Sequence, residues 1–310
     1  MMIAGHKVEK GEKITIEIPI ARLPTNTDIG LVAHVYRSLH DGPTLLAIGG
    51  VHGDEVNGIE IVKRAEKQGM FKNLKIGNVI AVPLLNVFGF INYSREFPGG
   101  KDVNRSFPGT KNGSLASRVA YTLTKEILPH VDIALDFHTG GDKIYNYPQA
   151  RVYSKDPESV RLAEEFAMPH LIKGGLIRRS LRRTAHDMGI PMVVFEGGES
   201  QRIDEFSIQE GLKGLKRVLI ARGMINGNVE KQESLIINDN AWIRAARSGM
   251  FTCTKVAGDT IKKGEVIGSI TGPYGNFSYK VKARKDGILF GHNNQPVINK
   301  GDALFHVGYE

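Results

Sequence analysis

The pattern of apolar and polar positions divides the chain into strands and helices. Two β-like segments stand near the start, "KITIEIPI" and "GLVAHVYRS". Short apolar runs bounded by glycine or proline predict buried strands in "TLLAIGG", "NVIAVPLLN", "VDIALDFHTGG" and "GIPMVVFEGGES". Apolar residues at helical spacing predict helices in "EVNGIEIVKRAEKQG", "LASRVAYTLTKEIL", "DPESVRLAEEFAMP" and "DEFSIQEGLKGLKRVLIARGM". Strands that alternate with helices predict an α/β fold with a mixed, largely parallel sheet and helices on both faces.

The pattern changes after about Asn228, where short strands and glycine turns continue without a good helix. "VAGDTIKKGEVIGSI" and "QPVINKGDALFHVG" share a hairpin-like spacing and resemble the barrel-sandwich arrangement of lipoyl and biotinyl carrier domains. The intervening "TGPYGNFSYKV" lacks those carriers' Met-Lys-Met or Asp-Lys-Ala motif, so we expect no covalent cofactor on Lys280. We therefore predict a catalytic domain over residues 1–227 and an all-β domain over residues 228–310, which acts as a cap or in oligomerisation.

Composition fits this two-domain picture. A chain of 310 residues is long enough for about two domains. Its one cysteine, Cys253, rules out an internal disulfide framework and fits a reducing compartment. The start lacks a signal-peptide core and no stretch of 18 apolar residues occurs, so we expect a cytoplasmic protein that does not cross a membrane.

The net charge of +8 raises the question of a nucleic-acid partner. The densest basic cluster, "IRRSLRRTAH", spans Arg178 to Arg183 without interleaved aromatic residues. No helix-turn-helix or RNA-binding signature accompanies it. We interpret it as a solvated helix face and expect no nucleic-acid partner, although one of these arginines could still contact an anionic substrate.

Four polar residues follow or close predicted strands: His52, Asn86, His138 and Glu196. In open α/β sheets, ligands bind beyond the carboxyl ends of the strands. We therefore expect these side chains to meet at one edge of the sheet, where they would form a binding or catalytic site.

The first of these strand ends carries His52-x-x-Glu55, and the third carries His138. A catalytic zinc ion needs three protein ligands and an open position, and two histidines with one glutamate form a recurrent set. Asp136, two residues before His138 on the same strand face, could orient a ligand. The pair His52 and Glu55 by itself is more often a polar loop than a metal site. Their placement with His138 at strand ends is what favours the zinc hypothesis.

The loop from about Asn86 to Ser114 is longer than most loops, and such loops are usually functional or disordered. It carries Arg95, Asn104 and Arg105 among glycines and prolines. Arginine suits a carboxylate because its guanidinium can donate two parallel hydrogen bonds. An alternative with equal support is that Arg105 pairs with Asp102 and only staples the loop.

The fourth strand end offers a carboxylate for proton transfer. Glu196 closes an apolar strand and precedes two glycines. Beside a metal-activated water it could act as general base and then as general acid. Glu199 is the competing candidate, and we favour Glu196 because it directly terminates the apolar run.

Taken together, these motifs resemble the succinylglutamate desuccinylase/aspartoacylase family, a branch of the zinc carboxypeptidase superfamily. "GGVHGDEVNG" is similar to its first zinc motif, "DVNRSFPG" to its Asn-Arg substrate motif, and "DFHTGG" to the strand with the final histidine. "GIPMVVFEGGES" is similar to the segment with the catalytic glutamate. The motifs occur in family order over roughly residues 40–225.

The resemblance implies a zinc carboxypeptidase-like fold and a role for each of seven residues. His52, Glu55 and His138 would hold one zinc ion per chain, and Arg95 would polarise the scissile carbonyl. Asn104 and Arg105 would bind a substrate carboxylate, and Glu196 would activate a water molecule. The resemblance does not identify the pocket that selects the acyl group or the amine.

Three functions follow as hypotheses. The leading one is a zinc-dependent hydrolase that cleaves the N-acyl amide bond of a small carboxylated substrate, such as an N-acyl amino acid. The second is a metallocarboxypeptidase acting on peptide C-termini, because an Asn-Arg pair would serve both. The third is a non-catalytic metal-binding or scaffold protein, which the complete set of ligands and acid–base residues argues against. The sequence leaves a homo-oligomer open.

Overall fold

The computed structural model of the protein describes residues 1–22, 25–229 and 232–309. Within them a 13-stranded mixed sheet is the largest sheet of the fold, and a two-stranded sheet and a four-stranded sheet are separate from it. The strands are β1 Met2–Ile3, β2 His6–Lys7, β3 Lys13–Arg22, β4 Asp28–Arg37, β5 Thr44–Gly49, β6 Asn78–Val82, β7 Ile133–Gly140, β8 Ile144–Tyr153, β9 His170–Gly174, β10 Met192–Glu199, β11 Leu235–Ile237, β12 Asp239–Arg244, β13 Gly249–Cys253, β14 Thr260–Ile261, β15 Val266–Thr271, β16 Ser278–Lys282, β17 Gly287–Asn293, β18 Val297–Ile298 and β19 Ala303–Tyr309.

The helices lie between the strands of the first 221 residues. They are α1 Val56–Lys67, α2 Val87–Ile91, α3 Leu115–Thr122, α4 Pro157–Phe166, α5 Leu181–Asp187 and α6 Glu205–Ala221. A single tight turn spans Val103–Arg105. α3 is followed by a wider, π-helical turn over Leu123–Ile127 and a tighter 3-10 turn over Leu128–His130. In the described part of the chain, no helix is both long and apolar enough to cross a membrane.

The centre of the large sheet is parallel, as the alternation of strands and helices predicts. β6, β5, β7 and β10 lie side by side in that order, and all three pairings are parallel. Antiparallel strands continue the sheet on both sides, with β4 against β6 and β8 against β10. The predicted mixed, largely parallel α/β fold is confirmed.

Both faces of the central strands are buried, which explains why they read as continuous apolar runs. In β5, Leu45 and Ala47 pack with α1, α4 and α6 on one face, whereas Leu46 and Ile48 pack with α3 and α5 on the other. Because successive strand residues point to opposite faces, one apolar run supplies two hydrophobic cores. Only the strand ends are left free to carry polar side chains.

The part of the chain described over 232–309 consists of strands and turns without a helix, as predicted. Its strand β17 pairs with β8, so the large sheet continues from the N-terminal part of the chain into the C-terminal part. A separate four-stranded antiparallel sheet contains β13, β15, β16 and β18. We retain residues 1–227 and 228–310 as a proposed domain division, with the sheet running across its boundary.

Several elements were not predicted from the sequence. The strand β8, "IYNYPQARVY", contains a proline and several polar residues, so it lacks the apolar run of its neighbours. β9 is only five residues long. The predicted loop after Asn86 also contains the short helix α2. Tertiary packing, not local pattern, stabilises all of these.

Candidate active site

The three predicted metal ligands lie together at the carboxyl edge of the central strands. His52 Nδ1 is 2.7 Å from Glu55 Oε1, and His138 Nδ1 is 2.7 Å from Glu55 Oε2. The two Nδ1 atoms are 3.1 Å apart. All three side chains are buried, and in the described part of the chain they form a group that could hold a metal ion.

The backbone around this group is close-packed, and glycines make that possible. A Cβ on Gly58 would lie 2.1 Å from the carbonyl oxygen of Phe137, so α1 can approach β7 only because residue 58 lacks a side chain. A Cβ on Gly53 would lie 2.0 Å from the backbone nitrogen of Phe90 in α2. Gly58 thus lets α1 lie against the strand that carries His138, and Gly53 lets the turn that carries His52 lie against α2.

A carboxylate stands behind each imidazole. His138 Nε2 lies 2.8 Å from Asp136 Oδ2, and His52 Nε2 lies 3.3 Å from Asp102 Oδ1. Metal-bound histidines characteristically direct their second nitrogen at such a partner, which fixes the ring and raises its basicity. Asp136 lies where a carboxylate that orients His138 is expected, as predicted. Asp102 has the same position relative to His52, and this was not predicted from the sequence.

These residues fit a zinc ion. Donor atoms in a tetrahedral zinc site are about 3.3 Å apart when bond lengths are about 2.0 Å. The two Nδ1 atoms are 3.1 Å apart, just below that value, and each lies 2.7 Å from a different carboxylate oxygen of Glu55. A small outward movement of the side chains would therefore admit the ion, and the donor set is one that zinc uses.

Electrostatics make the group a strong cation site. Burial disfavours the charged form of Glu55, but His52 and His138 outweigh it and hold the pKa of this carboxyl well below its usual range. Burial also opposes charge on His138, yet Asp136 and Glu55 raise the pKa of its imidazole well above the ordinary value. An ionised carboxylate thus lies between basic imidazoles, and a metal ion bound there would replace protons.

Arg95 reaches the same group from the long loop. Its Nη1 lies 3.1 Å from His52 Nδ1 and 3.2 Å from Glu55 Oε1. Its Nε and Nη2 donate to Asp102 Oδ2 at 3.2 and 2.9 Å. Asn86, the strand-end residue expected in the site, instead caps α2 and donates to the carbonyl of Arg95 at 3.1 Å. Asn86 therefore anchors the loop that delivers the guanidinium.

Asn104 and Arg105 lie in the turn after Asp102 and line the same cavity. Asn104 Oδ1 accepts a hydrogen bond from the backbone N–H of Leu181, which leaves its amide NH2 as the available donor. Arg105 is exposed and donates to the carbonyl of Asn104 at 2.7 Å. Asp102 pairs with Arg95 instead of Arg105. The alternative of an Asp102–Arg105 staple is therefore wrong.

The structure separates the two candidate acid–base residues. Glu196 lines the same cavity as the three candidate metal ligands. Glu199 lines a neighbouring groove and accepts a hydrogen bond from the Asn294 amide at 2.6 Å. Glu196 is the cross-strand neighbour of His138. Asn146 Nδ2 donates to its Oε2 at 2.9 Å, and Arg151 Nη1 lies 3.4 Å from its Oε1. Geometry thus supports the preference for Glu196.

The cavity has a volume of about 320 Å³ and is lined by all seven predicted site residues. Asn146 and Arg151 on β8 and Trp242 on β12 also line the cavity and were not predicted from the sequence, whereas Arg182 on α5 is one of the arginines considered for an anionic substrate. Polar residues at every second or third position of β8 were the available signal for the first two. Nothing local marks Trp242, because it enters from the C-terminal part of the chain.

Cationic side chains outnumber acidic ones around the cavity. Its lining contains four arginines, Arg95, Arg105, Arg151 and Arg182, against the three carboxylates of Glu55, Asp136 and Glu196. Burial and the neighbouring Arg151 lower the pKa of the Arg182 guanidinium. Of the basic cluster over 178–183, only Arg182 lines this cavity, whereas Arg183 pairs with Asp187 on the surface. A divalent cation would make the excess of positive charge larger.

The order and geometry of these residues agree with a comparison against known families. A model of the succinylglutamate desuccinylase/aspartoacylase catalytic domain matches residues 41–222, more than half of the chain. The chain belongs to this family. Membership confirms the resemblance drawn from the motifs, and it makes the chain one of a family of hydrolytic deacylases.

Among curated proteins, the chain is similar to the N-alpha-acetyl-L-2,4-diaminobutyric acid deacetylase of Halomonas elongata. It is 29% identical over 281 residues, which cover 85% of this chain and 81% of that enzyme. Among solved structures, a succinylglutamate desuccinylase/aspartoacylase from Rhodobacter sphaeroides is 25% identical with a TM-score of 0.84, covering 96% of each chain. The product-bound ectoine utilization protein from Ruegeria pomeroyi is 23% identical with a TM-score of 0.86, covering 96% and 95%, and shows the same fold.

Proposed function

We propose that this protein is a zinc-dependent deacylase that cleaves the amide bond of a small carboxylated N-acyl compound. The observation that carries the proposal is the convergence of His52, Glu55 and His138 with Glu196 in one cavity. A metal ligand set with one carboxylate left over for proton transfer is the minimum that zinc-assisted amide hydrolysis requires. One zinc ion per chain is expected, and the single cysteine favours a cytoplasmic location.

Each remaining residue has a task that its position supports. Zinc held by the three ligands would supply Lewis-acid activation of the attacking water and of the scissile carbonyl. Arg95, whose guanidinium reaches the metal group, stabilises charge that develops on the carbonyl oxygen. Asn104, through its amide NH2, and Arg105 bind the substrate carboxylate. Glu196 takes the proton from the water and delivers it to the leaving amine nitrogen.

Cavity size and charge narrow the substrate. A volume of about 320 Å³ lies at the lower end for ligand sites and suits a compound of amino-acid size. Trp242 forms part of the wall, which leaves less room for a polypeptide than an open cleft would. The excess of arginine favours an anionic substrate over one with a cationic side chain. We therefore favour an N-acyl amino acid over a peptide C-terminus.

A hydrolysis screen tests the proposal. N-acetyl and N-succinyl derivatives of acidic, neutral and basic amino acids are compared with short peptides, before and after treatment with a chelator and after zinc is restored. We expect hydrolysis of an N-acyl amino acid that is lost with the metal and regained with zinc. Hydrolysis of peptides alone would favour the carboxypeptidase, and protein that takes up no stoichiometric zinc would refute both enzymes.

A further inference from the structure

Asn146 occupies an unusual place beside the proposed acid–base residue. It lies on β8 between two glycines, opposite Gly198 of β10 on one side and Gly291 of β17 on the other. Its side chain is buried, at 4% exposure, and donates to Glu196 Oε2 at 2.9 Å. The amide side of this directional contact is buried, whereas Glu196 faces the cavity with its side chain 15% exposed.

The contact restricts a side chain that otherwise has considerable freedom. Glutamate has three rotatable bonds, and holding such a side chain still costs up to about 2 kcal/mol of conformational entropy. The other carboxylate oxygen, Oε1, lies 3.4 Å from Arg151 Nη1, at the outer limit of a hydrogen bond. Without Asn146, the carboxylate of Glu196 would be free to turn fully toward Arg151.

The C-terminal part of the chain leaves room for the Asn146 amide. A Cβ on Gly291 would lie 3.0 Å from Asn146 Oδ1 and 3.2 Å from the Cβ of His306. Gly291 does not adopt a left-handed backbone conformation, so a side chain there would be opposed by crowding against Asn146 and His306 and not by backbone strain. Because β17 pairs with β8, this strand sets the position of the amide from behind.

We infer that Asn146 is a positioning residue that orients Glu196 for proton transfer, and that Gly291 in the C-terminal part leaves the space that the Asn146 amide needs. The inference rests on the proposed role of Glu196. It gives the C-terminal strands a part in the reaction, because they complete the support of the acid–base residue. Asn146 acts through Glu196, so its removal should slow the chemical step and leave substrate binding intact.

A double-mutant cycle tests this with the full-length zinc-loaded protein. Asn146→Ala should lower kcat by about 10- to 100-fold, the scale expected when a reacting group is misplaced by about 1 Å. KM, zinc content and Tm should stay near the values of the unmodified protein. In a Glu196→Gln background, Asn146→Ala should cause no further loss, because the group that it positions is already gone. Asn146→Asp should be worse than Ala, since two carboxylates would then face each other.

Gly291→Ala approaches the same contact from the C-terminal side. Its methyl group should displace the Asn146 amide and reproduce part of the loss in kcat, and it keeps the test open if Asn146→Ala does not fold. Gly174→Ala is the matched control, because a Cβ there meets nothing within 4 Å. It should leave kcat unchanged.

The outcomes separate the two proposals. Full activity in Glu196→Gln would overturn the proposed role of Glu196 itself. Loss of activity in Glu196→Gln together with a normal kcat in Asn146→Ala would overturn only the positioning role. A raised KM with unchanged kcat in Asn146→Ala would also overturn it, because the amide would then be a substrate contact. A further loss on adding Asn146→Ala to Glu196→Gln would show a structural role instead.

Discussion

Replacing Asp136 should weaken zinc binding without touching a metal ligand. Asp136 Oδ2 lies 2.8 Å from His138 Nε2, and the two side chains are only 1% and 4% exposed. At that depth, water cannot take over the contact. Asp136→Ala leaves the imidazole N–H without an acceptor, whereas Asp136→Asn keeps an acceptor but removes the negative charge. The two variants therefore remove different parts of one interaction.

The magnitude follows from the role of such partners. Loss of a carboxylate behind a metal-bound histidine typically costs 10- to 100-fold in metal affinity, which is about 1.4 to 2.7 kcal/mol. Because Asp136→Asn retains an acceptor, we expect it near the lower figure. Asp136→Ala should reach the higher one, since the buried nitrogen is then unsatisfied. Neither change removes a donor atom from the metal, so both proteins should still bind one zinc ion.

Competition against a chromophoric chelator of known affinity at neutral pH measures the effect. Urea unfolding in excess chelator reports separately on the stability of the metal-free protein. Asp41→Asn is the control, because Asp41 is 83% exposed and pairs only with Lys10 on the surface. Unchanged zinc affinity in both Asp136 variants would refute the reasoning, as would an equal loss in the control.

Three further predictions concern other groups. Glu196→Ala should keep zinc but lose at least about 100-fold in kcat, measured by single-turnover hydrolysis. Arg105→Ala should raise KM for carboxylated substrates about 10-fold or more, while KM for uncharged analogues stays unchanged. Burial and Arg151 lower the pKa of His306 to about 3, so only the unfolded chain takes up its proton as the pH falls below about 6.5. This should lower the free energy of unfolding by about 2 kcal/mol by pH 5. In His306→Phe, the free energy of unfolding measured by urea denaturation should therefore depend less on pH.

The sequence alone determined the central architecture and most of the site. Runs such as "TLLAIGG" and "VDIALDFHTGG" are largely apolar because both faces of β5 and β7 are covered. A short stretch of sequence is therefore enough to predict these buried strands. Parallel strands bring their carboxyl ends to one edge, so residues at strand ends are predicted neighbours whatever their separation along the chain. For this reason His52, Glu55, His138 and Glu196 could be grouped before any coordinates were known.

The tertiary structure decided what those residues touch. Whether Asp102 pairs with Arg95 or Arg105 depends on how a long loop folds, and the pattern of apolar and polar residues does not predict the loop conformation. β8 forms because it is held between β10 and β17, although its proline and polar residues weaken any local strand pattern. Asn146 and Trp242 reach the site only because strands from distant parts of the chain pair there. The local sequence predicts which helices and strands form and which strand ends lie at the same edge of the sheet. Side-chain contacts between distant segments are determined only when the elements pack in one arrangement.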